Sequence, residues 1–343
     1  MFQIELLPAR EGDCLLLTYG TPGDEHRVLI DGGRAATYPT LKQRVSGELD
    51  LLVVTHIDRD HIEGVLAMLE DHSRPMNFRD VWFNGYDHLH GAELETFGAV
   101  QGERLTSAML KQHLPWNRAF QGKPVESPGV VKELEGGLKL TLLSPTRAKL
   151  EALIPRWEKE CAKAGLIPGV EARKEELPEG LEGFGAIDIE ELSKEPFELD
   201  EAAPNGTSIA LLAEFEGKRA LLAADAHPDL LASSLKTLSP EQPIKFDAVK
   251  VSHHGSSHNT SRELLDQLAC PLYLISTSGA YFHHPTPIAM SRLIRFGGDD
   301  KEIAFNYRSE ETGIWDNTRW KNKFGYRTRY PAATDDGTLV ISL

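Results

Sequence analysis

The chain has 343 residues, 41% of them hydrophobic and 26% charged, which fits one large domain or two smaller ones. No segment approaches 18 consecutive apolar residues and the first residues lack a secretory pattern, which excludes a membrane span and favours a cytoplasmic protein. The formal net charge of −15 disfavours nonspecific binding along a DNA duplex, although it allows a local basic patch.

The first elements are predicted to be a β-hairpin and a tight turn. Residues 12–19 and 27–30 have the composition of short strands, and residues 21–24 that of the turn between them. The second strand runs into Asp31-Gly32-Gly33, where glycine allows close approach of the backbone. We expect Asp31 either to hold a metal-ligating histidine by a hydrogen bond or to be an ordinary turn aspartate.

A dense group of candidate metal ligands follows the next predicted strand. Residues 51–54 are leucine and valine, as in a buried strand, and the polar residues after them are His56, Asp58, Asp60 and His61. His56 and Asp58 are two positions apart, so they point the same way in an extended segment, and the other pair can address a second ion. A solvated turn in which Asp60 caps the following helix would explain any one of these residues. Four potential ligands within six positions favour a two-metal site.

Residues 81–128 are irregular and rich in aromatic side chains. Asp87, His88 and His90 lie in this region without a preceding strand end, so we interpret them as loop or pocket rim rather than ligands.

Residues 156–201 are unusually acidic, with 14 aspartates and glutamates against 6 lysines and arginines. Proline and glycine interrupt their helical patterns. We predict a partly helical surface insertion at about 156–201 within a single domain of residues 1–343. A lid, a surface that binds a protein partner and a solvated linker are all consistent with this composition.

Ligand-type residues follow strand ends again in the second half. Strands are predicted at 220–223, 246–251 and 272–276. The residues after them are Asp225, then the pair His253 and His254, then His284. Repetition of this arrangement at four strand ends favours one site built from both halves of the chain.

These residues resemble a known pattern. His56-x-Asp58-x-Asp60-His61 is similar to the His-x-His-x-Asp-His motif of the metallo-β-lactamase superfamily, with Asp58 in place of the second histidine. The branch that the chain resembles is the hydrolase domain of the ComEC-type competence proteins, whose membrane channel takes up DNA. The further motifs that carry this resemblance are Asp31-Gly32-Gly33, Asn205-x-x-Ser208, Asp225, His253-His254-Gly255-Ser256 and His284-Pro285-x-Pro287. The resemblance implies an α/β fold, the αββα four-layer sandwich of the metallo-β-lactamase type.

The resemblance also implies roles for single residues. His56 and Asp58 would hold one ion, and Asp60 and His61 the other. Asp225 matches the bridging carboxylate. Either His253 or His254 would complete the second site; we assign His253 as the ligand, and His254 with Asp60 to catalysis. The predicted substrate-contacting residues are Asn205, Ser208, Ser256, Ser257, His258 and His284. The serine-rich loop among them would serve equally well as a plain helix N-cap.

The expected ligand set favours phosphorus chemistry. Oxygen donors outnumber imidazoles, which shifts the preferred metal from zinc toward Mn²⁺ or Mg²⁺. Two such ions, roughly 3.5–4 Å apart, would hold a hydroxide that attacks a phosphoryl group. We therefore predict a phosphodiesterase or nuclease that acts on nucleic acid or nucleotides. The alternatives are a hydrolase of carboxylic esters, thioesters or lactams, and a regulatory partner-binding subunit that retains a metal site.

Residues 308–329 combine six basic and three acidic residues with interleaved aromatic side chains. This is the composition of a groove for single-stranded nucleic acid, in which Lys321 and Lys323 would bind phosphates. A C-terminal β-hairpin whose aromatic residues pack inward has the same composition.

Overall fold

The structure is a computed structural model that describes residues 1–89, 100–163, 187–239, 241–332 and 336–343. The strands are β1 Phe2–Leu6, β2 Leu15–Thr21, β3 Asp24–Ile30, β4 Gly47–Leu49, β5 Leu51–Val53, β6 Met76–Phe78, β7 Val81–Trp82, β8 Val131–Glu133, β9 Lys139–Ser144, β10 Ala210–Phe215, β11 Lys218–Leu222, β12 Ile244–Lys245, β13 Ala248–Lys250, β14 Leu268–Ala269, β15 Leu272–Ile275, β16 Lys301–Phe305, β17 Tyr326–Arg329 and β18 Leu339–Ser342. The helices are α1 Tyr38–Arg44, α2 Arg59–Glu70, α3 Tyr86–Leu89, α4 Val100–Lys111, α5 Arg147–Lys163, α6 Ile189–Leu192, α7 Ala203–Gly206, α8 Pro228–Leu238, α9 Arg262–Leu265, α10 Pro287–Phe296, α11 Glu310–Gly313 and α12 Thr318–Phe324.

Two large mixed sheets form the centre of the protein. One has the strand order β18-β1-β2-β3-β5-β7 and the other β17-β16-β15-β13-β11-β10-β9-β8. Strands β3, β5 and β7 are parallel, as are β11, β13, β15, β16 and β17. The C-terminal strand β18 joins the first sheet, whereas β8 and β9 already belong to the second. The division of the chain between the sheets therefore differs from a simple N-terminal and C-terminal half.

Side-chain alternation along the strands creates three apolar layers. In β2, Leu16 faces a cluster with helices α1, α2, α4 and α5, whereas Leu17 faces the second sheet. In β15, Tyr273 packs with α8, α9 and α10, whereas Leu274 lies between the sheets. The order of layers is therefore helices, sheet, sheet, helices. Among the described residues, none of the helices has the length and apolar character needed to cross a membrane.

The acidic stretch 156–201 is anchored in the core at both described ends. Trp157 and Cys161 of α5 are buried in the helix layer of the first sheet, and Ile189 of α6 is buried in that of the second. Asp200 is also buried. The predicted surface insertion is therefore too wide at both margins, and residues 164–186 lie outside the described residues. The acidic composition of the stretch did not reveal that a few apolar residues at its two ends are buried in the core.

The interpretation of Asp87 and His88 as loop or rim residues is wrong, because both are buried in the short helix α3. His88 accepts a hydrogen bond at Nδ1 from the Gly85 amide (3.1 Å) and donates from Nε2 to the Gly122 carbonyl (3.1 Å). The histidine is therefore a neutral structural side chain. His90 lies outside the described residues.

Burial lowers the pKa of His88 to about 4, and this predicts acid sensitivity. As the pH falls from about 6.5 to about 4, the unfolded chain binds a proton that the folded chain does not, so stability decreases by up to about 3 kcal/mol. Urea unfolding of His88→Gln across this range should give a flatter pH dependence, although the variant is less stable at neutral pH. The exposed His72→Gln variant should keep the slope of the parent. Equal slopes for parent and His88→Gln would contradict the prediction.

Residues 308–329 do not form a groove with exposed aromatic side chains. Trp315 and Tyr326 are buried, and Trp320 and Phe324 pack against the same core cluster. Three of the nearby basic groups are paired: Lys321 binds Asp316 (2.6 Å), Lys323 binds Glu190 (3.0 Å) and Arg329 binds Glu302 (2.6 Å). The groove prediction is therefore wrong. The aromatic residues do pack inward, but on a helix and a parallel edge strand rather than a hairpin.

Candidate metal centre

The predicted ligands meet where parallel strands of both sheets end. Asp31 follows β3 and His56 follows β5, whereas Asp225 follows β11 and the pair His253 and His254 follows β13. The Ile209 amide donates to the Thr55 carbonyl (3.0 Å) and the His253 amide to the Ala224 carbonyl (2.9 Å), which ties these loops together. Because the strands are parallel, their carboxyl ends lie at one edge, and the site forms there.

Glycines allow the start of α2 to pack closely against the backbone of neighbouring loops at this edge of the sheet. The Gly32 amide donates to the His61 carbonyl (2.9 Å) and the Gly64 amide to the Gly33 carbonyl (2.8 Å). A Cβ atom at Gly64 would lie 1.9 Å from the Gly32 oxygen, and one at Gly12 would lie 1.6 Å from the Asp60 oxygen. Larger residues at either position would push α2, and with it Asp60 and His61, out of place.

The Asp225 carboxylate is the centre of the cluster. Its Oδ2 atom lies 3.3 Å from Nε2 of His61, 3.5 Å from that of His254, 3.7 Å from that of His253 and 3.9 Å from that of His56. Four imidazole nitrogens therefore face one buried carboxylate.

Two further carboxylates lie beside these imidazoles. Asp58 Oδ2 is 3.7 Å from His56 Nε2, and Asp60 Oδ2 is 3.5 Å from His254 Nε2. His254 Nε2 is also 3.3 Å from His61 Nε2. Groups of His56, His61 and Asp225, and of Asp60, His61 and His254, each have their donor atoms within 4.8 Å of one another. The cluster thus contains two overlapping sets of donors.

Hydrogen bonds at Nδ1 fix the orientation of each imidazole. His61 Nδ1 is 2.7 Å from Asp31 Oδ2, and His254 Nδ1 is 2.8 Å from the Ser276 carbonyl. Because all these partners accept, Nδ1 carries the proton and Nε2 presents its lone pair to the cluster. Asp31 thus contacts a candidate ligand histidine, the first of the two roles considered for it.

The other two histidines, His56 and His253, also have a hydrogen-bond partner at Nδ1. His56 Nδ1 is 3.1 Å from Thr55 Oγ1, whose own proton goes to Asp31 (2.7 Å). His253 Nδ1 donates to Asn259 Oδ1 (2.9 Å). All four Nε2 atoms are therefore available in one place, which is the arrangement that a metal-binding cluster requires.

Several buried polar atoms of the cluster have no hydrogen-bond partner in the described part of the chain. They are His56 Nε2, Asp225 Oδ1 and Asn205 Oδ1. Unpaired buried acceptors cost about 1–3 kcal/mol each, so their accumulation at one site needs an explanation. Imidazole nitrogens, carboxylate oxygens and amide oxygens bind divalent cations through their lone pairs. Divalent ions therefore fit this cluster.

The electrostatics of the cluster agree with cation binding. Burial alone would raise the pKa of Asp225, but the facing His254, His61 and His253 hold it well below its usual range. Burial alone would lower the pKa of His254, but Asp225 and Asp13 raise it to about 9. The carboxylate is therefore ionised and attracts positive charge, whether protons or metal ions.

The backbone around the cluster is strained. Asp31, Ala224, His253 and His254 all have positive φ values, between 46° and 58°. This region is unfavourable for residues with a side chain, and such strain clusters at functional sites.

The predicted substrate-contacting residues fall into two groups. Asn205 lies 3.4 Å from His253 Nδ1, and the His284 ring lies 5.2 Å from the His253 ring. Ser208 and Ser256 are buried, and they are close in sequence to Asn205 and His254 respectively. Ser257 and His258 instead have contacts directed elsewhere: the Ser257 carbonyl accepts from Arg292, and exposed His258 donates to the Glu198 carbonyl (3.0 Å).

Sequence reasoning did not find four buried residues that support the cluster. Asp13 forms a short ion pair with Lys250 and lies 3.4 Å from His254 Nδ1. Asp200 accepts hydrogen bonds from Asn205 (2.7 Å) and Asn259 (3.0 Å), and so links the acidic stretch to the His253 loop. Asn259 closely follows the His253-His254 motif, and this proximity was the one usable signal.

Comparison with known proteins gives distant likenesses. No family model matches the chain. Among curated proteins it is similar to ComE operon protein 3 of Bacillus subtilis (strain 168), at 21% identity over 354 aligned positions that cover 96% of this chain and 34% of that protein. The chain thus spans about a third of the length of this relative. The likeness supports the resemblance to the ComEC-type branch.

Three solved structures are similar over nearly the whole chain. One, assigned as a metal-dependent hydrolase of Parabacteroides distasonis ATCC 8503, has 11% identity and a TM-score of 0.41, covering 96% of this chain and 93% of that one. The metallo-β-lactamase fold protein YhfI of Bacillus subtilis has 12% identity and a TM-score of 0.44, covering 99% of each chain. CmlA, a diiron β-hydroxylase of Streptomyces venezuelae, has 10% identity and a TM-score of 0.43, covering 100% of this chain and 54% of that one. Likenesses of this size carry no conclusion about activity.

The architecture itself confirms the predicted fold. Two facing mixed sheets, each covered by helices, form the αββα sandwich that the sequence resemblance implied. The histidine and aspartate cluster lies at the carboxyl ends of the parallel strands.

Proposed function

We propose that this chain, which has the metallo-β-lactamase fold, is a metal-dependent phosphodiesterase that acts on nucleic acid or nucleotides. The observation that carries the proposal is the convergence of four Nε2 atoms on Asp225 Oδ2, within 3.3–3.9 Å. A partner-binding subunit without catalytic activity would not need so many metal donors facing one another. When bound, two divalent ions supply an activated water nucleophile and neutralise charge on phosphoryl oxygens.

His56, Asp58 and Asp225 would hold one ion. Asp60, His61 and His254 would hold the other, with Asp225 shared between the two. This exchanges the roles first expected for His253 and His254, because His254 Nε2 lies 3.5 Å from Asp60 Oδ2 and 3.3 Å from His61 Nε2.

His253 and Asn205 would then contact the substrate. His253 is only partly buried, and its Nδ1–H is held by Asn259, so Nε2 is the atom free to approach a phosphoryl oxygen or a leaving group. Asn205 donates an amide hydrogen bond to Asp200 (2.7 Å), and its buried oxygen has no hydrogen-bond partner among the described residues, so this oxygen is available to an ion or to substrate. Asp200 thereby sets the orientation of both groups.

Oxygen donors favour phosphoryl chemistry with hard metals. Three carboxylates and the Asn205 oxygen are available beside the imidazoles, and hard oxygen donors suit Mn²⁺ and Mg²⁺. Such ions clamp phosphoryl oxygens well. The ester, thioester or lactam alternative shares the fold, so substrate tests must separate the two classes.

Metal content and substrate class test this proposal together. Elemental analysis should give close to two Mn²⁺ per chain after reconstitution, and the Mn²⁺ form should cleave single-stranded oligonucleotides at least as fast as the Zn²⁺ form. Carboxylic esters, thioesters and lactams serve as the comparison substrates. Activity with zinc alone would contradict the hard-metal argument, and turnover of the comparison substrates without phosphodiester cleavage would overturn the proposed function.

A further inference from the structure

An exposed aromatic side chain lies at the edge of the metal centre. Phe282, in the loop between β15 and α10, is 49% exposed, an unusual state for phenylalanine. Its ring stacks on that of His284, with centroids 6.1 Å apart and planes 28° apart, and meets the Tyr281 ring edge-on at 4.6 Å. One face of the ring is thus supported by His284.

This ring is connected to the metal cluster by two imidazoles. The His284 ring lies 5.2 Å from the His253 ring, and His253 Nε2 lies 3.7 Å from Asp225 Oδ2. His284 Nδ1 is buried without a hydrogen-bond partner among the described residues. Phe282, His284 and His253 thus form a continuous series of rings that leads from the exposed loop to Asp225.

A free cation lies on the neighbouring loop. Arg10 is exposed, and its guanidinium makes no hydrogen bond or ion pair within the described ranges. Its backbone is fixed on both sides, because its amide donates to the Tyr307 hydroxyl (2.7 Å) and its carbonyl accepts from the Ser278 amide (2.6 Å). Ser278 begins the Phe282 loop, and Gly12, two residues after Arg10, packs against Asp60. The segment that carries Arg10 is therefore bonded to the start of the aromatic loop and reaches the metal cluster two residues later.

Two acidic residues beside Arg10 and the Phe282 loop are already paired. Glu11 binds Arg34 (2.6 Å), and Glu311 lies 3.2 Å from His283 Nδ1. The positive charge of Arg10 is consequently available to a ligand. An available cation on a segment bonded to the loop of a supported aromatic ring is a combination suited to single-stranded nucleic acid, since the base stacks and the phosphate is neutralised.

We propose that Phe282 and Arg10 form a subsite for the nucleotide next to the scissile phosphate, so that the substrate is single-stranded nucleic acid with an unpaired base. This inference rests on the proposed function and names its substrate class. Phe282 stacks on the base, and Arg10 binds the adjacent phosphate. The role that the sequence suggested for residues 308–329 is thus assigned to a different loop.

The test uses a short single-stranded thymidine oligonucleotide and the same oligonucleotide with abasic residues. The Mn²⁺-loaded parent should show a KM about tenfold lower for the thymidine substrate, the size expected for one stacked base. Phe282→Leu should abolish this difference, and Phe282→Trp should restore it. Arg10→Gln should weaken the binding of both oligonucleotides, and it should reduce the slope of log KM against log salt concentration by about 0.7.

Matched controls separate the subsite from general surface effects. Leu110→Ala removes another exposed apolar side chain (48% exposed), and Arg319→Gln removes an exposed arginine on α12. Both should behave as the parent. Fluorescence anisotropy of both oligonucleotides with the metal-free protein gives a second, activity-independent readout.

The outcomes distinguish the two proposals. Cleavage of the thymidine and abasic oligonucleotides with the same KM would overturn the subsite and leave the phosphodiesterase proposal intact. Base-dependent binding without cleavage would overturn the proposed function and retain the subsite, and the absence of both would overturn both. Binding of the parent to vesicles of phosphatidylglycerol and phosphatidylethanolamine that Phe282→Leu abolishes, with unchanged oligonucleotide binding, would assign the loop to a lipid surface instead.

Discussion

Asp225→Asn should lower the phosphodiesterase rate of the metal-loaded protein roughly a thousandfold, whereas Asp58→Asn should lower it about tenfold. Asp225 Oδ2 is within 3.9 Å of four imidazole Nε2 atoms, so loss of its charge affects both proposed metal sites. Two cations close together without a shared carboxylate repel each other. Asp58 lies 3.7 Å from His56 Nε2, and its side chain is 40% exposed, so water can replace it.

Metal stoichiometry and kinetics measure this difference. Asp225→Asn should bind at most one ion per chain after dialysis, whereas Asp58→Asn should keep at least one and regain activity at high Mn²⁺ concentration. Asp229→Asn removes an exposed aspartate from the start of α8 and should match the parent in both respects. Equal and mild losses for Asp225→Asn and Asp58→Asn would show that the carboxylate is not shared between the ions.

Strand-end patterns predicted the fold and the position of the cluster because they are local properties of the sequence. Residues 51–54 predicted β5, which spans Leu51–Val53, and the polar residues directly after it could only emerge at one edge of the sheet. The same reasoning applied to Asp225 after β11. Parallel neighbours then bring these ends together without further information.

Contacts between the two sheets could not be predicted in this way. Asp13 precedes β2 of one sheet and Lys250 ends β13 of the other, and nothing in either local pattern indicates that they form an ion pair. The acidic composition of residues 156–201 places Asp200 in the predicted surface insertion, and composition does not show that one aspartate of the stretch is buried against Asn205. The aromatic residues at 315–326 showed the same ambiguity, because composition does not distinguish a stacked base from a hydrophobic core.

The ion pair of Asp13 and Lys250 lies next to His254 of the metal cluster. Lys250 occupies a position of β13 that alternates with Val249, so it faces the same side as Ala248, which is buried between the sheets. Both members of the pair are almost fully buried. Burial alone would raise the pKa of Asp13, but Lys250 and His254 hold it below its usual range. Lys250 therefore keeps a carboxylate ionised beside His254, where Asp13 supports the orientation of the imidazole (3.4 Å from Nδ1).

Removal of one partner of this pair should be far more damaging than removal of both. Lys250→Met leaves a buried carboxylate without its cation and should lower the free energy of unfolding by about 3–5 kcal/mol, whereas the double variant Asp13→Asn with Lys250→Met should recover most of this loss. In the double variant the Ser276 carbonyl would still accept the His254 Nδ1 proton, so metal binding should also be retained.

Urea unfolding in the presence of EDTA measures the pair without the added stabilisation from bound metal. Lys245→Met changes an exposed lysine on β12 and should leave the unfolding midpoint close to that of the parent. A double variant as unstable as Lys250→Met would mean that the lysine stem, rather than its charge, fills the space between the sheets. A Lys250→Met variant as stable as the parent would mean that another group compensates the Asp13 charge, and the His254 imidazole beside it is the group to test next.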